Sequence, residues 1–215
     1  MQPKIQKLLI SFFSKFGLEL FAKGEIIIKP TDKRTFFLTE GVVRMYNPSK
    51  KNDLTLNIYK PYSIFPISLI LNGQNKYAYA ALTEIRGYFA PKKDFTRFVN
   101  ENPEVLFDLL KRIYRGLDGL YLRLEVLMSG DAYLRILTHL IIYARRFGQS
   151  KQDKIIFDWH LTHHHLASQT GLARESVTKE IKKMQNKGLI GYSGKKMFIS
   201  NLAKLEEECS IYIDK

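Results

Sequence analysis

Residues Leu161 to Ile190 read LTHHHLASQTGLARESVTKEIKKMQNKGLI, and the spacing within them decides the C-terminal fold. Thr162 is a good N-cap, because its hydroxyl can accept from a backbone N–H that a first helical turn leaves unpaired. The helix that follows would bury Leu166, Ala167 and Thr170, and Gly171 would then supply a left-handed turn that residues with a Cβ resist. A second helix starts near Ala173, with Val177, Ile181 and Met184 at helical spacing on its inner face. Its outer face carries Arg174, Glu175, Ser176, Lys179, Lys182 and Lys183. That set suits a nucleic-acid duplex. An Arg can hold guanine O6 and N7 bidentately, a Glu can accept from cytosine N4, and lysines can neutralise phosphates. Gly188 ends the helix. Beyond it, Leu189 to Tyr192 and Met197 to Ile199 flank the turn Ser193-Gly194-Lys195, a hairpin with Lys195 and Lys196 at its tip. Two helices, a tight turn and a basic hairpin make a winged helix-turn-helix.

Working outward, Gly24 to Phe98 shows short runs of β-branched and aromatic residues broken by turn residues roughly every eight to twelve positions, the pattern of an antiparallel sandwich or barrel. The expected strands are Glu25 to Lys29, Thr35 to Leu38, Val42 to Asn47, Leu54 to Tyr59, Tyr77 to Leu82 and Glu84 to Phe89, with Glu40-Gly41 as a hairpin turn. Before them, Ile5, Leu8, Leu9, Phe12, Phe13 and Phe16 recur as one face of a helix whose default role is packing. After them, Leu106, Leu110, Ile113, Leu117, Leu120, Leu124 and Leu127 step by four and three, a coiled-coil spacing. A monomer's core helix can show part of this, but the polar flanks favour a dimer seam. Gly116 and Gly119 lie inside it, each costing ~1 kcal/mol relative to Ala, and either allow close approach or mark a bend. The helix should stop at Ser129-Gly130, and Asp131 should cap another from Ala132 to Phe147. The expected class is therefore α+β, with a β-barrel domain at 1–103, a dimerisation helix and connection at 104–130, and the winged helix-turn-helix at 131–215.

The formal charge of +13 favours polyanionic partners. No stretch is apolar enough to span a bilayer, and the N-terminal segment, interrupted by Lys4, Lys7 and Lys15, is not a signal peptide, so a cytoplasmic location is expected. The single cysteine, Cys209, excludes a disulfide framework or a cysteine-ligated iron-sulfur cluster within one chain. His160, His163, His164 and His165 suggest zinc at first sight, but consecutive helical residues fan out at ~100° steps and cannot converge on one ion. No metal and no catalytic constellation is expected. Lys204 to Lys215 with its Glu206-Glu207-Glu208 run reads as either a terminal helix or a solvated tail, with no function assigned.

Gly171 to Lys179, G-L-A-R-E-S-V-T-K, resembles the start of the recognition helix in the Crp/Fnr family of bacterial transcription regulators, which commonly show Gly-x-Ser-Arg-Glu-Thr-Val-x-Arg there. Ala173 replaces the frequent Ser, and Lys179 puts a point charge where an Arg would offer a fork. The order of elements from Phe16 to Ile199 follows the family, and Phe37-Leu38-Thr39-Glu40-Gly41-Val42-Val43 is similar to its aromatic-hydrophobic-x-x-Gly-x-Val hairpin. Asp131-Ala-Tyr-Leu-Arg-Ile-Leu matches the start of the family's DNA-binding domain, which places a hinge at Met128 to Asp131. The resemblance implies a cyclic-nucleotide-binding jelly roll, a homodimer, double-stranded DNA with a near-palindromic operator, and contact with RNA polymerase. It also implies backbone contacts from Thr162 and His164.

Nucleotide-binding members hold the ribose with the Glu of a Gly-Glu pair and the cyclic phosphate with an Arg-Ser pair. Here Pro66-Ile67 stands at the first and, with a one-residue deletion, Lys76-Tyr77 at the second, so both anchors are missing. Cyclic AMP is not expected to bind in the usual way. A different effector, for which Ser68, Lys76, Tyr77 and Tyr79 are the candidates, and a purely structural barrel both remain open. The alternative to a DNA reader is a barrel-bearing sensor or scaffold whose C-terminal domain binds a protein.

Overall fold

The computed structural model describes residues 2–49, 54–71, 73–129, 131–152, 154–157 and 159–209. The chain divides into two compact units, 1–115 and 116–215. The first contains α1 (Pro3–Phe13), β1 (Leu18–Phe21), β2 (Ile26–Ile28), β3 (Arg34–Glu40), β4 (Val43–Tyr46), β5 (Thr55–Tyr59), β6 (Ile64–Phe65), β7 (Ala78–Ala81), β8 (Ile85–Pro91), α2 (Lys92–Glu101) and the start of α3 (Pro103–Ser129). Its strands form two antiparallel sheets of order β1-β8-β3-β6 and β2-β7-β4-β5. The first strand pairs with the eighth and the second with the seventh, the nested pairing of a jelly roll.

Two hydrophobic clusters explain why β3 reads as a continuous apolar run. Phe36 and Phe37 point to opposite faces of the sheet, yet neither is exposed. Phe36 packs between the sheets with Ile28, Leu38, Phe65, Tyr79, Ile85 and Phe89. Phe37 joins Leu9, Phe13, Phe95, Val99 and Leu109, where the helices cover the sheet. The expected face of α1 therefore packs, with the rings of Phe12 and Phe98 stacked at 4.2 Å.

Two expectations need correction. Glu40-Gly41 is not a hairpin turn, because β3 and β4 belong to different sheets, and the chain turns a corner between them. Gly41, at φ 93°, permits that corner, since a Cβ there would lie 2.2 Å from the Glu84 carbonyl oxygen. The strand pattern also stops at Pro91. Phe95 and Val99, four apart and buried, belong to α2, whose aromatic content hid its helical period.

The second unit contains the rest of α3, then α4 (Ala132–Phe147), β9 (Gly148–Lys151), β10 (Lys154–Phe157), α5 (His163–Thr170), α6 (Arg174–Asn186), β11 (Ile190–Ser193), β12 (Lys196–Ile199) and α7 (Leu202–Cys209). A third sheet runs β11-β12-β10-β9. Asp131 caps α4 by accepting from the Leu134 amide at 2.9 Å, as expected, while Gly130 of the expected hinge lies outside the described residues. The tail reads as a helix as far as Cys209, and residues 210–215 lie outside the described ones. Its acids tie it down: Glu206 pairs with Arg145 at 2.8 Å, and Glu208 accepts from the Tyr133 hydroxyl at 3.0 Å and pairs with Lys187. Among the described residues no helix is long and apolar enough to cross a membrane.

Along α3 only part of the apolar surface is covered. Val105, Leu109 and Val126 are buried, whereas Leu106, Leu110, Leu117, Leu120, Leu124 and Leu127 are 39–51% exposed and Ile113 is half-buried. Phe107, Tyr114, Tyr121 and Met128, seven apart and 62–80% exposed, add a second stripe that the four-three spacing did not include. The helix continues through Gly116 and Gly119.

Candidate nucleic-acid interface

The start of α5 is fixed by a capping box. Thr162 Oγ1 accepts from the His165 amide at 3.1 Å, and His165 Nδ1 accepts from the Thr162 amide at 3.3 Å. At the other end Gly171, at φ 68°, takes the left-handed conformation and donates its N–H to the Ala167 carbonyl at 3.1 Å. Leu166 and Thr170 are buried as expected, but Ser168 is buried where Ala167 was expected, and Ala167 is half-buried. The serine tolerates burial because its hydroxyl donates to the His165 carbonyl at 3.0 Å.

Helix α6 buries Val177, Ile181 and Met184 against the unit. That seating leaves Arg174, Glu175, Lys179, Lys182 and Lys183 exposed and Ser176 half-buried. Glu180 was missed: it is buried, with its carboxylate 2.7 Å from Lys183 Nζ, so Lys183 is held back against its own helix. The wing is the β11–β12 hairpin, in which Tyr192 faces Met197 and Ser193 faces Lys196, with Gly194 at φ 57° in the turn. Lys195 and Lys196 are exposed at its tip.

The three consecutive histidines do diverge. His164 is exposed at the start of α5, His165 closes the cap with its ring 5.3 Å from that of Trp159, and His163 turns toward α6 and the wing. The Thr162 oxygen is committed to the cap, but its hydroxyl proton can still be donated. Among the described residues no group of three His, Cys, Asp or Glu side chains could hold a metal ion. Sequence reasoning missed the contacts of His163 with Thr178 and Tyr192, because they link positions distant in sequence that share no motif.

In the barrel the four candidate effector residues differ in environment. Ser68 and Lys76 are exposed, Tyr77 is half-buried, and Tyr79 is buried, its ring stacked on Phe65 at 4.7 Å and 5.7 Å from that of Tyr59. Burial pushes the Tyr79 hydroxyl far above its usual range, so it stays neutral. Asn75 also went unnoticed. It is buried, and its amide donates to the Lys29 and Tyr77 carbonyls and accepts from the Tyr77 amide, which commits it to the backbone before β7.

Comparison with known proteins agrees with both units in order. Residues 18–102 match the cyclic nucleotide-binding domain family, and residues 134–208 match the Crp-like helix-turn-helix domain family. The global nitrogen regulator of Synechococcus elongatus is 24% identical over 215 residues, covering 94% of this chain and 97% of that protein. A CRP-like cAMP-activated global transcriptional regulator of Mycobacterium tuberculosis is 27% identical over 192 residues, covering 88% and 83%. Among solved structures, a transcriptional regulator of the CRP/FNR family from Thermus thermophilus superposes with a TM-score of 0.71 at 26% identity, covering 90% of this chain and 98% of that one. With a jelly roll preceding α3 and a winged helix-turn-helix following it, and both matched in that order, the chain belongs to the Crp/Fnr family of transcriptional regulators, which are not enzymes.

Proposed function

We propose that the chain acts in the cytoplasm as a homodimer that sets one α6 from each subunit into successive major grooves of a near-palindromic operator, about 34 Å apart. The observation that carries this is the commitment pattern of α6. Its apolar residues are buried, while Arg174, Glu175, Lys179 and Lys182 stay exposed on a helix flanked by the basic wing. Arg174 and Glu175 would read base edges. Ser176, Lys179, Lys182, Lys183, Lys195 and Lys196 would hold the duplex, with Thr162 and His164 on the backbone at the start of α5. The functional division is 1–103 for the effector-type barrel, 104–130 for dimerisation and hinge, and 131–215 for reading.

The dimer seam would be Leu106, Leu110, Ile113, Leu117, Leu120, Leu124 and Leu127, a face that the single chain leaves largely uncovered. Leu120→Lys should convert a dimer into a monomer in sedimentation and weaken operator binding with it.

The barrel is proposed not to respond to cyclic AMP, although the Mycobacterium tuberculosis relative is cAMP-activated. Supporting this, no carboxylate stands at Pro66-Ile67, the second anchor carries exposed Lys76 and half-buried Tyr77 in place of an Arg-Ser pair, and Tyr59, Phe65 and Tyr79 pack on one another. Contact with RNA polymerase would be a further role of the DNA-bound dimer.

The experiment is selection of bound duplexes from a random pool by the purified chain without ligand, followed by a salt titration of the winners with and without cyclic AMP. A two-fold symmetric consensus with a steep negative salt slope and no response to the nucleotide is expected. Enrichment of no sequence, with or without cell extract, would overturn the reading.

A further inference from the structure

His163, the first residue of α5, touches both other elements of the reader. Its Nδ1 lies 2.9 Å from Thr178 Oγ1 on α6, and its Nε2 lies 2.9 Å from the Tyr192 hydroxyl on β11. Thr178 Oγ1 in turn donates to the Arg174 carbonyl at 2.9 Å. A threonine hydroxyl has one proton, and here the carbonyl takes it, so toward the imidazole the oxygen can only accept. The assignment that keeps both Thr178 bonds places the His163 proton on Nδ1. That leaves Nε2 with a lone pair, which accepts from Tyr192. One neutral tautomer satisfies every partner, and the hydrogen bonds run in one direction from Tyr192 through His163 and Thr178 to the backbone of Arg174.

We propose that His163 is a positioning residue that registers the wing against the first turn of the recognition helix, and so fixes where Arg174 meets its base. This rests on the reading of α6 as the recognition helix. Three observations place the effect there. Ala173 gives α6 no side-chain cap, so the Thr178 bond is the side-chain fastening shown for that turn. Tyr192 lies three residues before Lys195 and pairs with Met197 one step from the turn, so the same imidazole anchors the wing near its tip. Among the described residues the charged and titratable groups facing His163 are Arg174 from α6 and Tyr192 from β11, and partial burial together with the guanidinium opposes an imidazolium there. A neutral ring of fixed tautomer is what the relay requires.

The test uses the full-length chain on its selected operator and on duplexes varied at each half-site position. His163→Ala and Tyr192→Phe should each reduce discrimination at the base read by Arg174 by about fivefold, the equivalent of one net hydrogen bond. His163→Gln should restore most of it, because an amide also offers one donor and one acceptor. Long-range ¹H–¹⁵N correlation spectra of histidine-labelled protein should show His163 protonated on Nδ1 and resisting a second proton below the ordinary imidazole value. A plain phosphate contact predicts otherwise: uniform weakening on all duplexes, a shallower salt slope and unchanged base preference. That result, or an Nε2–H tautomer, overturns the proposal. Tyr192→Phe keeps the ring and its packing, so the test survives if His163→Ala folds poorly. Arg174→Ala separates the two readings. If it relaxes the preference while the relay variants do not, only the relay fails; if it changes nothing, the recognition-helix reading fails.

Discussion

The interior of the barrel and the outer face of α6 hold equally conspicuous side chains, but their commitments are opposite. Between the sheets Phe36 packs on Phe65 at 5.6 Å and on Phe89 at 4.8 Å, and Tyr79 stacks on Phe65. On α6, Arg174, Lys179 and Lys182 are exposed and form no ion pair among the described residues. A ring buried on all sides stabilises the fold and is not free to hold a ligand. A charged side chain on a rigid, well-seated helix contributes little to stability and is free to bind. The gross charge misleads on this point. Residues 1–115 hold nineteen Lys and Arg against ten Asp and Glu, and residues 116–215 hold fifteen against eleven, so most of the +13 lies outside the reading unit. Placement, more than excess charge, marks the reader.

The largest effect should come from breaking the committed side. Phe36→Ala removes a fully buried ring and should cost about 3–5 kcal/mol, read as a lower urea midpoint for the barrel's unfolding. Arg174→Ala on the exposed face should leave every unfolding midpoint nearly unchanged, within about 0.5 kcal/mol. Equal losses from both would abolish the contrast.

The contrast sharpens at His139, a committed residue inside the reading unit. Its Nδ1 donates to the Arg135 carbonyl at 2.9 Å, its Nε2 is buried without a hydrogen-bond partner among the described residues, and burial pulls its pKa down to about 4. An unfolded histidine takes its proton near 6.5, so between those values the unfolded chain binds the extra proton and stability falls as pH falls. The loss should reach roughly 3 kcal/mol at pH 4 and be absent above pH 7. Denaturant titrations across that range should show the slope, and His139→Leu should flatten it. A slope that survives the substitution would assign the effect to other groups.

What could be read from the sequence follows the same division. The helix-turn-helix was legible because its signals are local: Thr162 three residues before its capped amide, Gly171 at the turn, and Val177, Ile181 and Met184 at one period. The barrel strands were legible as a pattern, but their pairing was not, since β1 with β8 and β2 with β7 are long-range choices that leave no local mark. Glu40-Gly41 looked like a hairpin because turn chemistry is the same whether the chain returns along its own sheet or crosses to another. On the candidate interface, the outward residues of α6 followed from period alone. Glu180 behind Lys183 and the bonds of His163 depended on tertiary packing, which spacing does not encode.

Between the exposed residues themselves the expected effects are smaller and differ in kind. Arg174→Ala should cost on the order of 1–3 kcal/mol of operator binding and relax preference at one position per half-site, measured by competition between variant duplexes. Lys182→Ala should leave preference alone and reduce the magnitude of the salt slope by about one per site, because a phosphate contact carries no base information.

Lys183 is the finer case, because the sequence made it equivalent to Lys182 and the structure does not. With its ammonium 2.7 Å from the buried Glu180 carboxylate, it is already partly neutralised before DNA arrives. It should therefore release fewer counterions on binding, and Lys183→Ala should change the salt slope less than Lys182→Ala does. The same substitution leaves Glu180 buried without its cation, so it should lower stability where Lys182→Ala does not. Lys183→Ala combined with Glu180→Gln removes the stranded charge and should recover that stability, with the salt slope still reduced by less than Lys182→Ala reduces it. If the Lys182 and Lys183 variants behave alike in both measurements, exposure alone would govern this face and the internal pairing would be irrelevant to DNA.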